Sequence, residues 1–272
     1  MKDIKNMTAG IIGLGHLGGS IAQSMIKGGF PKENMMISHK GSARTYLKAV
    51  EMGISQCLVK TEILMEKADI VILAAKPQDL ENIGSNPIRN DALLLSFMAA
   101  VPLEMLKDNF RCAGICRAMC SGPETIARSG GIGVIYPEIE MASAFFSLCG
   151  IKRLPLTFEE EIDAFTVGIC IPPLLMNTSV SKDERDKALS GMANSFPIYD
   201  QIGKWIEREL TESSFYNKER ALENVSTKGG ISEAMTISIK AGETFSCAIK
   251  RGMTRCSEIR SAIQAKIPAR TV

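Results

Sequence analysis

A glycine-rich stretch near the N-terminus has the residue types and spacing of a phosphate-binding loop. The segment GIIGLGHLGGSI, residues 10–21, contains five glycines, and three of them form the pattern Gly13-x-Gly15-x-x-Gly18. Glycine destabilises regular structure, so this density indicates main chain that must turn tightly or approach a ligand closely. In such a pattern the first glycine permits the turn, the second lets backbone reach a pyrophosphate, and the third lets helix and strand pack.

The flanking residues give this loop the strand-to-helix setting that a dinucleotide fingerprint requires. Residues 8–15 form a short apolar run typical of a buried parallel strand, and Leu17, Ile21 and Met25 then recur at helical spacing. In that setting the pattern indicates a dinucleotide held at a helix N-terminus, although a tight turn without a ligand is the alternative. The loop residues expected at the cofactor are Gly13, Leu14, Gly15, His16, Leu17 and Gly18.

The residues after the second predicted strand favour a phosphorylated ribose. An NAD enzyme normally places Asp or Glu there to accept a hydrogen bond from the ribose 2′-hydroxyl. This sequence instead has Ser38, His39, Lys40 and Arg44, with no acid among them. We therefore expect NADP(H) to be preferred over NAD(H). The alternative is that the three basic residues form ordinary solvated surface.

Strand-like and helical stretches alternate in the first half of the chain and give way to helices in the second. The alternation predicts an α/β fold, a Rossmann-type doubly wound parallel sheet, over residues 1–156. Amphipathic helical stretches then predict an all-helical C-terminal domain over residues 157–272. Its segment from Ser232 to about Ala265 predicts one long helix whose apolar face is buried against a partner chain or against sister helices. Glu159, Glu160 and Glu161 are expected to form the solvated first turn of a helix.

Composition excludes several other classes of protein. A formal net charge of +2 gives no electrostatic case for nucleic acid or an anionic membrane, and we expect neither as a partner. Residues 1–7 lack a signal-peptide core, and no apolar stretch is long enough to span a bilayer. Eight scattered cysteines favour reduced thiols in the cytoplasm.

Three cysteines recur every four residues, at Cys112, Cys116 and Cys120. On a helix they could share a face and hold a metal, and on a strand they would share a face as small buried side chains. The spacing matches no established ligand pattern, so the strand interpretation is preferred and no metal site is expected.

Several motifs resemble those of the pyrroline-5-carboxylate reductases, over nearly the full length of the chain. The glycine stretch is similar to that family's cofactor loop, and ADIVILAAKPQ, residues 68–78, to its second signature. LENVSTKGGISEAM, residues 222–235, resembles the family's Ser-Pro-Gly-Gly-x-Thr loop, and MTRCSEI its Arg-Ser-Glu-Leu ending. The resemblance implies a Rossmann domain, a helical dimerisation and substrate domain, and hydride transfer from NADPH to a cyclic imine, giving proline.

The resemblance also implies roles for individual residues. Family members bind the substrate carboxylate with backbone N–H groups of the C-terminal loop, and the last hydroxyl of the motif hydrogen-bonds the ring nitrogen. By position, Ser232 would be that catalytic hydroxyl. The further cofactor-binding residues would be Ala74, Ala75, Lys76, Pro77 and Ser121, and the substrate-binding residues Thr227, Lys228, Gly229, Gly230 and Ser232.

The substrate-side motifs depart from the family pattern. Lys228 stands in place of Pro, Ser121 and Gly122 replace an Asn-Thr pair, and GICIPPLL, residues 168–175, replaces a Gly-Ser-Gly-Pro-Ala-Tyr segment. Lys228 would either add a charge for a carboxylate or point to solvent. These departures keep two alternatives open: a related NADP-dependent oxidoreductase for another imine or carbonyl, and a non-catalytic dinucleotide-binding protein.

Overall fold

The apolar runs of the first half form one seven-stranded sheet in the order β2-β1-β3-β4-β5-β6-β7. In this computed structural model the described residues are 3–38, 41–128, 130–212, 222 and 226–266. They divide into two compact units, Met1–Arg153 and Leu154–Val272. The strands are β1 (Ala9–Ile12), β2 (Met35–Ser38), β3 (Ile70–Leu73), β4 (Leu93–Ser96), β5 (Gly114–Cys120), β6 (Ile132–Tyr136) and β7 (Lys152–Arg153).

The first five strands in the chain are parallel, which confirms the predicted doubly wound sheet. The sequence did not predict that β6 runs antiparallel to β5 or that β7 then pairs parallel with β6. The reason lies in the connection from β5 to β6, which spans residues 121–131. A parallel crossover needs about a dozen residues or more, so this shorter connection returns the chain in the opposite direction.

Helices alternate with the strands of the first unit. Every residue of β1, β3 and β4 is buried, as expected of central parallel strands. The helices are α1 (His16–Lys27), α2 (Ala43–Glu51), α3 (Thr61–Lys67), α4 (Leu80–Gly84), α5 (Leu103–Asn109), α6 (Pro123–Ala127) and α7 (Glu140–Leu148).

The described part of the second unit is helical, as predicted. Its helices are α8 (Glu161–Ile169), α9 (Ile171–Met176), α10 (Lys182–Ala193), α11 (Tyr199–Thr211), α12 (Ile231–Lys240) and α13 (Phe245–Gln264). The single long helix predicted from Ser232 to about Ala265 is wrong, because α12 and α13 are separate. Gly242 adopts a positive φ of 80° after α12, and the Thr244 hydroxyl accepts a hydrogen bond from the Cys247 N–H to cap α13.

Glu161 is not solvated, contrary to the prediction for the first turn of α8. Its side chain is buried, and its carboxylate accepts hydrogen bonds from the Thr157 N–H at 2.6 Å and the Ile198 N–H at 2.9 Å. Glu161 therefore joins the start of α8 to the segment before α11. Among the described residues, no helix combines the length and apolar character needed to cross a membrane.

Candidate functional site

The sheet reverses its winding direction at β1, which places a crevice at the carboxyl ends of β1 and β3. β1 pairs with β2 on one side and with β3 on the other, so that Ile12 lies opposite both Ser38 and Leu73. Open α/β sheets bind their ligands at such a switch point, beyond the carboxyl ends of the strands. The glycine loop, residues 13–18, begins directly after β1 at this position.

Two glycines of the glycine loop are required by the protein's own packing. Gly13 has a positive φ of 99°, and a Cβ there would lie 2.8 Å from the carbonyl oxygen of Ala74. A Cβ on Gly18 would lie 1.9 Å from the carbonyl oxygen of Gly13. These two positions therefore set the turn and the close approach of α1 to the strands, as the sequence predicted.

Gly15 has no such packing reason to be glycine. A Cβ built there meets no atom within 4 Å, its φ is an ordinary −71°, and the residue is exposed. Gly15 is also the N-cap of α1, and it supplies no side-chain acceptor to the first N–H groups of this helix. Open space beside a helix N-terminus that carries no side-chain cap is the arrangement that accommodates a phosphate.

Lys48 of α2 brings a cation to the same loop, and no local sequence pattern predicts this contact. Its Nζ donates a hydrogen bond to the Gly15 carbonyl oxygen at 2.8 Å. A Cβ on Gly19 would lie 2.1 Å from that Nζ, so the glycine at position 19 leaves the space through which Lys48 passes. The positive end of α1 and the ammonium of Lys48 together create a site that favours an anion.

The end of β2 presents only part of the predicted ribose site. Ser38 is buried, and its hydroxyl shares a 2.5 Å hydrogen bond with the hydroxyl of Thr61. His39 and Lys40 lie outside the described residues. Arg44 belongs to α2, and its side chain also lies outside what the structure describes.

The end of β3 forms the other wall of the crevice. The Ala74 N–H donates to the Ile12 carbonyl oxygen at 2.9 Å, which extends the pairing of β1 and β3 to the glycine loop. The methyl group of Ala74 would lie 3.1 Å from a Cβ on Gly18, so it packs against the loop. Beyond it, Ala75 is half-buried, and the exposed Lys76 precedes a short 3-10 turn that starts at Pro77.

The hydroxyl of Ser121 forms hydrogen bonds to other groups of the protein. Ser121 is fully buried after β5, and its Oγ shares a 2.6 Å hydrogen bond with the Thr125 hydroxyl. The same Oγ accepts a hydrogen bond from the Ile132 N–H at 3.1 Å. Ser121 thus ties the start of α6 to β6.

The three regularly spaced cysteines lie on and beside β5, which confirms the strand interpretation for Cys116 and Cys120. Burial raises the pKa of each of these two thiols to about 12. Within the described ranges no group of His, Cys, Asp and Glu side chains is arranged to hold a metal ion.

Four of the predicted substrate residues form a loop before α12 in the second unit, and the fifth, Ser232, lies in the first turn of α12. We call residues 227–230 the substrate loop. Thr227, Lys228 and Gly229 are exposed, and Gly229 adopts a positive φ of 72°. Both glycine N–H groups already have acceptors within the chain. The Gly229 N–H donates to the Glu233 carboxylate at 2.6 Å, and the Gly230 N–H donates to the Thr227 carbonyl oxygen at 2.7 Å.

Arg255 of α13 holds the substrate loop from the opposite side. Its Nε and Nη2 donate to the Gly229 carbonyl oxygen at 2.9 and 2.7 Å, and its Nη1 donates to Glu258 at 2.7 Å. Arg255 was not among the predicted site residues. Arg255 belongs to the MTRCSEI motif. The resemblance of this motif to the Arg-Ser-Glu-Leu ending of the pyrroline-5-carboxylate reductases was the one sequence signal that could have identified Arg255 as a site residue.

The hydroxyl of Ser232 lies inside the helical unit. Ser232 is 4% exposed, and its Oγ donates to the Cys170 Sγ at 2.9 Å. Burial raises the pKa of Cys170 to about 11, although the hydrogen bond from Ser232 acts in the opposite direction. Cys170 in turn donates to the Thr166 carbonyl oxygen at 3.2 Å. The substituted segment GICIPPLL therefore supplies the partner of the predicted catalytic hydroxyl.

Comparisons with known proteins match part of the first unit and the overall fold. A family model described as "NADP oxidoreductase coenzyme F420-dependent" matches residues 8–100. A pyrroline-5-carboxylate reductase from Methanosarcina acetivorans is 32% identical over 111 residues, which are 39% of this chain and 40% of the relative. The alignment thus spans about two fifths of the relative's length.

Solved structures resemble the chain over most of its length. A 1-pyrroline-5-carboxylate reductase from Streptococcus pyogenes has a TM-score of 0.60 at 16% identity, covering 94% of this chain and 98% of the other. A pyrroline carboxylate reductase from Plasmodium falciparum, solved with NADP bound, has a TM-score of 0.53 at 16% identity, covering 94% and 98%. At these identities the structures show the fold. Together with the sequence match, they confirm a dinucleotide-binding oxidoreductase fold similar to that of the pyrroline-5-carboxylate reductases.

Proposed function

We propose that this protein is an NADPH-dependent reductase of a cyclic imine, with 1-pyrroline-5-carboxylate as its substrate and proline as its product. The observation that carries the proposal is Gly15, a glycine that the protein's packing does not require, at a helix N-terminus on the switch point of the sheet. The similarity to reductases of 1-pyrroline-5-carboxylate supports the choice of substrate.

The glycine loop would hold the pyrophosphate of the coenzyme. The N–H groups at the start of α1 would donate to the phosphate oxygens, and the positive end of the helix and Lys48 would offset their charge. When bound, NADPH would supply the hydride that reduces the imine carbon. The chain's own contribution is to orient the two reactants and to donate hydrogen bonds.

The positive charge of the residues after β2 favours NADP(H) over NAD(H). A 2′-phosphate adds negative charge at the ribose, where the segment after β2 carries the basic residues His39, Lys40 and Arg44 and no acid. We expect these residues and Ser38 to border the ribose. Ser38 would act through its backbone, because its hydroxyl is bonded to Thr61.

Lys48 gives a direct test of the charge at the glycine loop. Lys48→Met keeps the apolar stem but removes the ammonium, so the dissociation constant for NADPH should rise about tenfold, equivalent to about 1.4 kcal/mol. The difference should shrink as salt is added, because ions screen the attraction. Calorimetric titration at low and high salt measures both effects.

Lys107→Met is the matched control, since Lys107 is an exposed cation on α5. Its affinity for NADPH should equal that of the wild type. Equal affinities for wild type and Lys48→Met would remove Lys48 from the coenzyme site.

On the substrate side, Ser232 would hydrogen-bond the ring nitrogen, and the substrate loop would bind the carboxylate. The exposed Lys228 would lie at the edge of this loop, facing solvent.

The second unit would also form a homodimer, as the family resemblance implies. Ile237 of α12, which is 61% exposed, offers an apolar side chain for such a contact. The eight free cysteines favour a cytoplasmic location.

The function is tested by following NADPH oxidation with a panel of substrates. Rapid oxidation with 1-pyrroline-5-carboxylate, with proline as the product, is the expected result. Faster oxidation with another imine or a carbonyl compound would favour a related oxidoreductase, and the panel includes coenzyme F420 because the matched family model names it. NADPH binding without turnover on any compound would favour a dinucleotide-binding protein that lacks catalysis.

A further inference from the structure

We infer that Gly19 is a positioning residue of the coenzyme site, because the absence of a side chain there leaves the space in which the Lys48 ammonium reaches the glycine loop. The inference rests on the proposed function, which places the coenzyme pyrophosphate at the N-terminus of α1. It goes further because Gly19 lies outside the glycine pattern of residues 13–18, so the dinucleotide fingerprint does not account for a glycine at this position. The coenzyme, and not the fold, requires Gly19.

Gly19 and Lys48 share one hydrogen-bond acceptor at the start of α1. The Gly19 N–H donates to the Gly15 carbonyl oxygen at 3.0 Å, and Lys48 Nζ donates to the same oxygen at 2.8 Å. Because the Cα–Cβ bonds of an α-helix tilt toward its N-terminus, a side chain at position 19 would extend over the turn that contains this oxygen. A side chain there and the Lys48 ammonium would therefore occupy the same space.

The contacts of a Cβ at position 19 show that Lys48 is the neighbour it would displace. This Cβ would lie 2.1 Å from Lys48 Nζ and 2.5 Å from Lys48 Cε, well inside the contact distance of about 3.5 Å between non-bonded heavy atoms. Among the described residues, and apart from the adjoining residues of α1, the three nearest atoms all belong to Lys48. A lysine side chain is flexible and can move away. A methyl group at position 19 should thus displace the ammonium and leave the fold intact.

The ammonium of Lys48 lies where an anion would stabilise it. The positive end of the helix dipole disfavours a cation beside the N-terminus of α1, and the hydrogen bond to the Gly15 carbonyl oxygen offsets this cost. A phosphate at the same position would be attracted both by the helix N-terminus and by the ammonium. A residue that keeps Lys48 in place therefore contributes to coenzyme affinity more than to the stability of the free protein.

The test is a double-mutant cycle on the full-length protein, with Gly19→Ala, Lys48→Met and the variant that carries both substitutions. Each protein is titrated calorimetrically with NADPH. Gly19→Ala should raise the dissociation constant about fivefold, less than Lys48→Met, because the displaced ammonium keeps part of its attraction. In the Lys48→Met background the same substitution should change the dissociation constant by less than about twofold. A purely structural role of Gly19 would weaken binding equally in both backgrounds.

The same titrations with NADH locate the phosphate on which Lys48 acts. Both coenzymes contain the pyrophosphate, and only NADPH has the 2′-phosphate. Gly19→Ala should therefore weaken the binding of NADPH and of NADH by the same factor. A larger loss for NADPH would place the Lys48 ammonium at the 2′-phosphate and overturn the inference.

Gly203→Ala is the matched control, since Gly203 lies inside α11 and a Cβ there meets no described atom within 4 Å. Alanine is the better helix former, so Gly19→Ala and Gly203→Ala should each raise the melting temperature of the ligand-free protein by about 2 °C. Only Gly19→Ala should weaken coenzyme binding. Wild-type affinity in Gly19→Ala, an equal loss in the Lys48→Met background, or a Gly19→Ala protein that does not fold would each overturn the inference.

Failure of the proposed function gives a different result. In that case no variant oxidises NADPH with 1-pyrroline-5-carboxylate, while the coupling between Gly19 and Lys48 in coenzyme binding is still observed. A wild-type protein that takes up neither coenzyme would overturn both.

Discussion

Gly15→Asp should raise the dissociation constant for NADPH at least about 100-fold without lowering the melting temperature. A side chain at this position meets no protein atom within 4 Å, so the fold has room for it. Asp is moreover a favourable N-cap and should slightly stabilise α1. The same carboxylate would occupy the space proposed for the pyrophosphate and repel it. Calorimetric titration and thermal unfolding measure the two effects separately.

Gly191→Asp is the control for this variant. Gly191 lies on α10, and a Cβ there also meets no atom within 4 Å. This protein should bind NADPH with the wild-type affinity. If Gly15→Asp binds NADPH as tightly as the wild type, the phosphates do not lie at the N-terminus of α1.

Ser232→Ala should lower kcat by about 100-fold or more and leave the dissociation constant for NADPH within about twofold. The physical reason is that turnover needs a hydrogen-bonding group at the ring nitrogen, whereas coenzyme binding uses the first unit. Ser232→Thr, which restores a hydroxyl and the residue of the family motif, should recover much of the turnover. Steady-state kinetics and a coenzyme titration on each variant give both quantities.

Cys170→Ala distinguishes a catalytic role of the Ser232 hydroxyl from a purely structural one. It removes the Ser232–Cys170 hydrogen bond but leaves the Ser232 hydroxyl in place. Ser232→Ala should lower stability by about 1 kcal/mol because it loses that bond, and Cys170→Ala by about 2 kcal/mol because it also loses the bond to the Thr166 carbonyl oxygen. Only Ser232→Ala should lose turnover to the stated extent. Equal losses of turnover in the two variants would contradict a catalytic role for Ser232.

The glycine loop could be predicted because residues that are neighbours in the sequence determine its conformation. Gly13 and Gly18 serve a turn and a close contact that any strand-to-helix phosphate loop requires, and their spacing together with the strand before and the helix after them identifies them. The break at Gly242 also had local indications, a glycine followed by the N-cap residue Thr244, which the apolar periodicity outweighed.

The remaining site features depend on contacts between distant parts of the chain. Lys48 reaches Gly15 from a different helix, and Ser232 meets Cys170 across 62 positions of sequence. Glu161 is buried because its carboxylate binds the Ile198 N–H, 37 positions away. No periodicity or spacing encodes such pairs, so a side chain in the first turn of a helix was expected to be solvated.

The glycine-rich backbone after β1 is the feature on which the proposed chemistry depends. The most direct test is a calorimetric titration of the folded wild-type protein with NADPH and, separately, with NADH. We predict saturable uptake of NADPH, with weaker uptake of NADH. If the folded protein takes up neither coenzyme, the assignment as a nicotinamide-dependent reductase is contradicted.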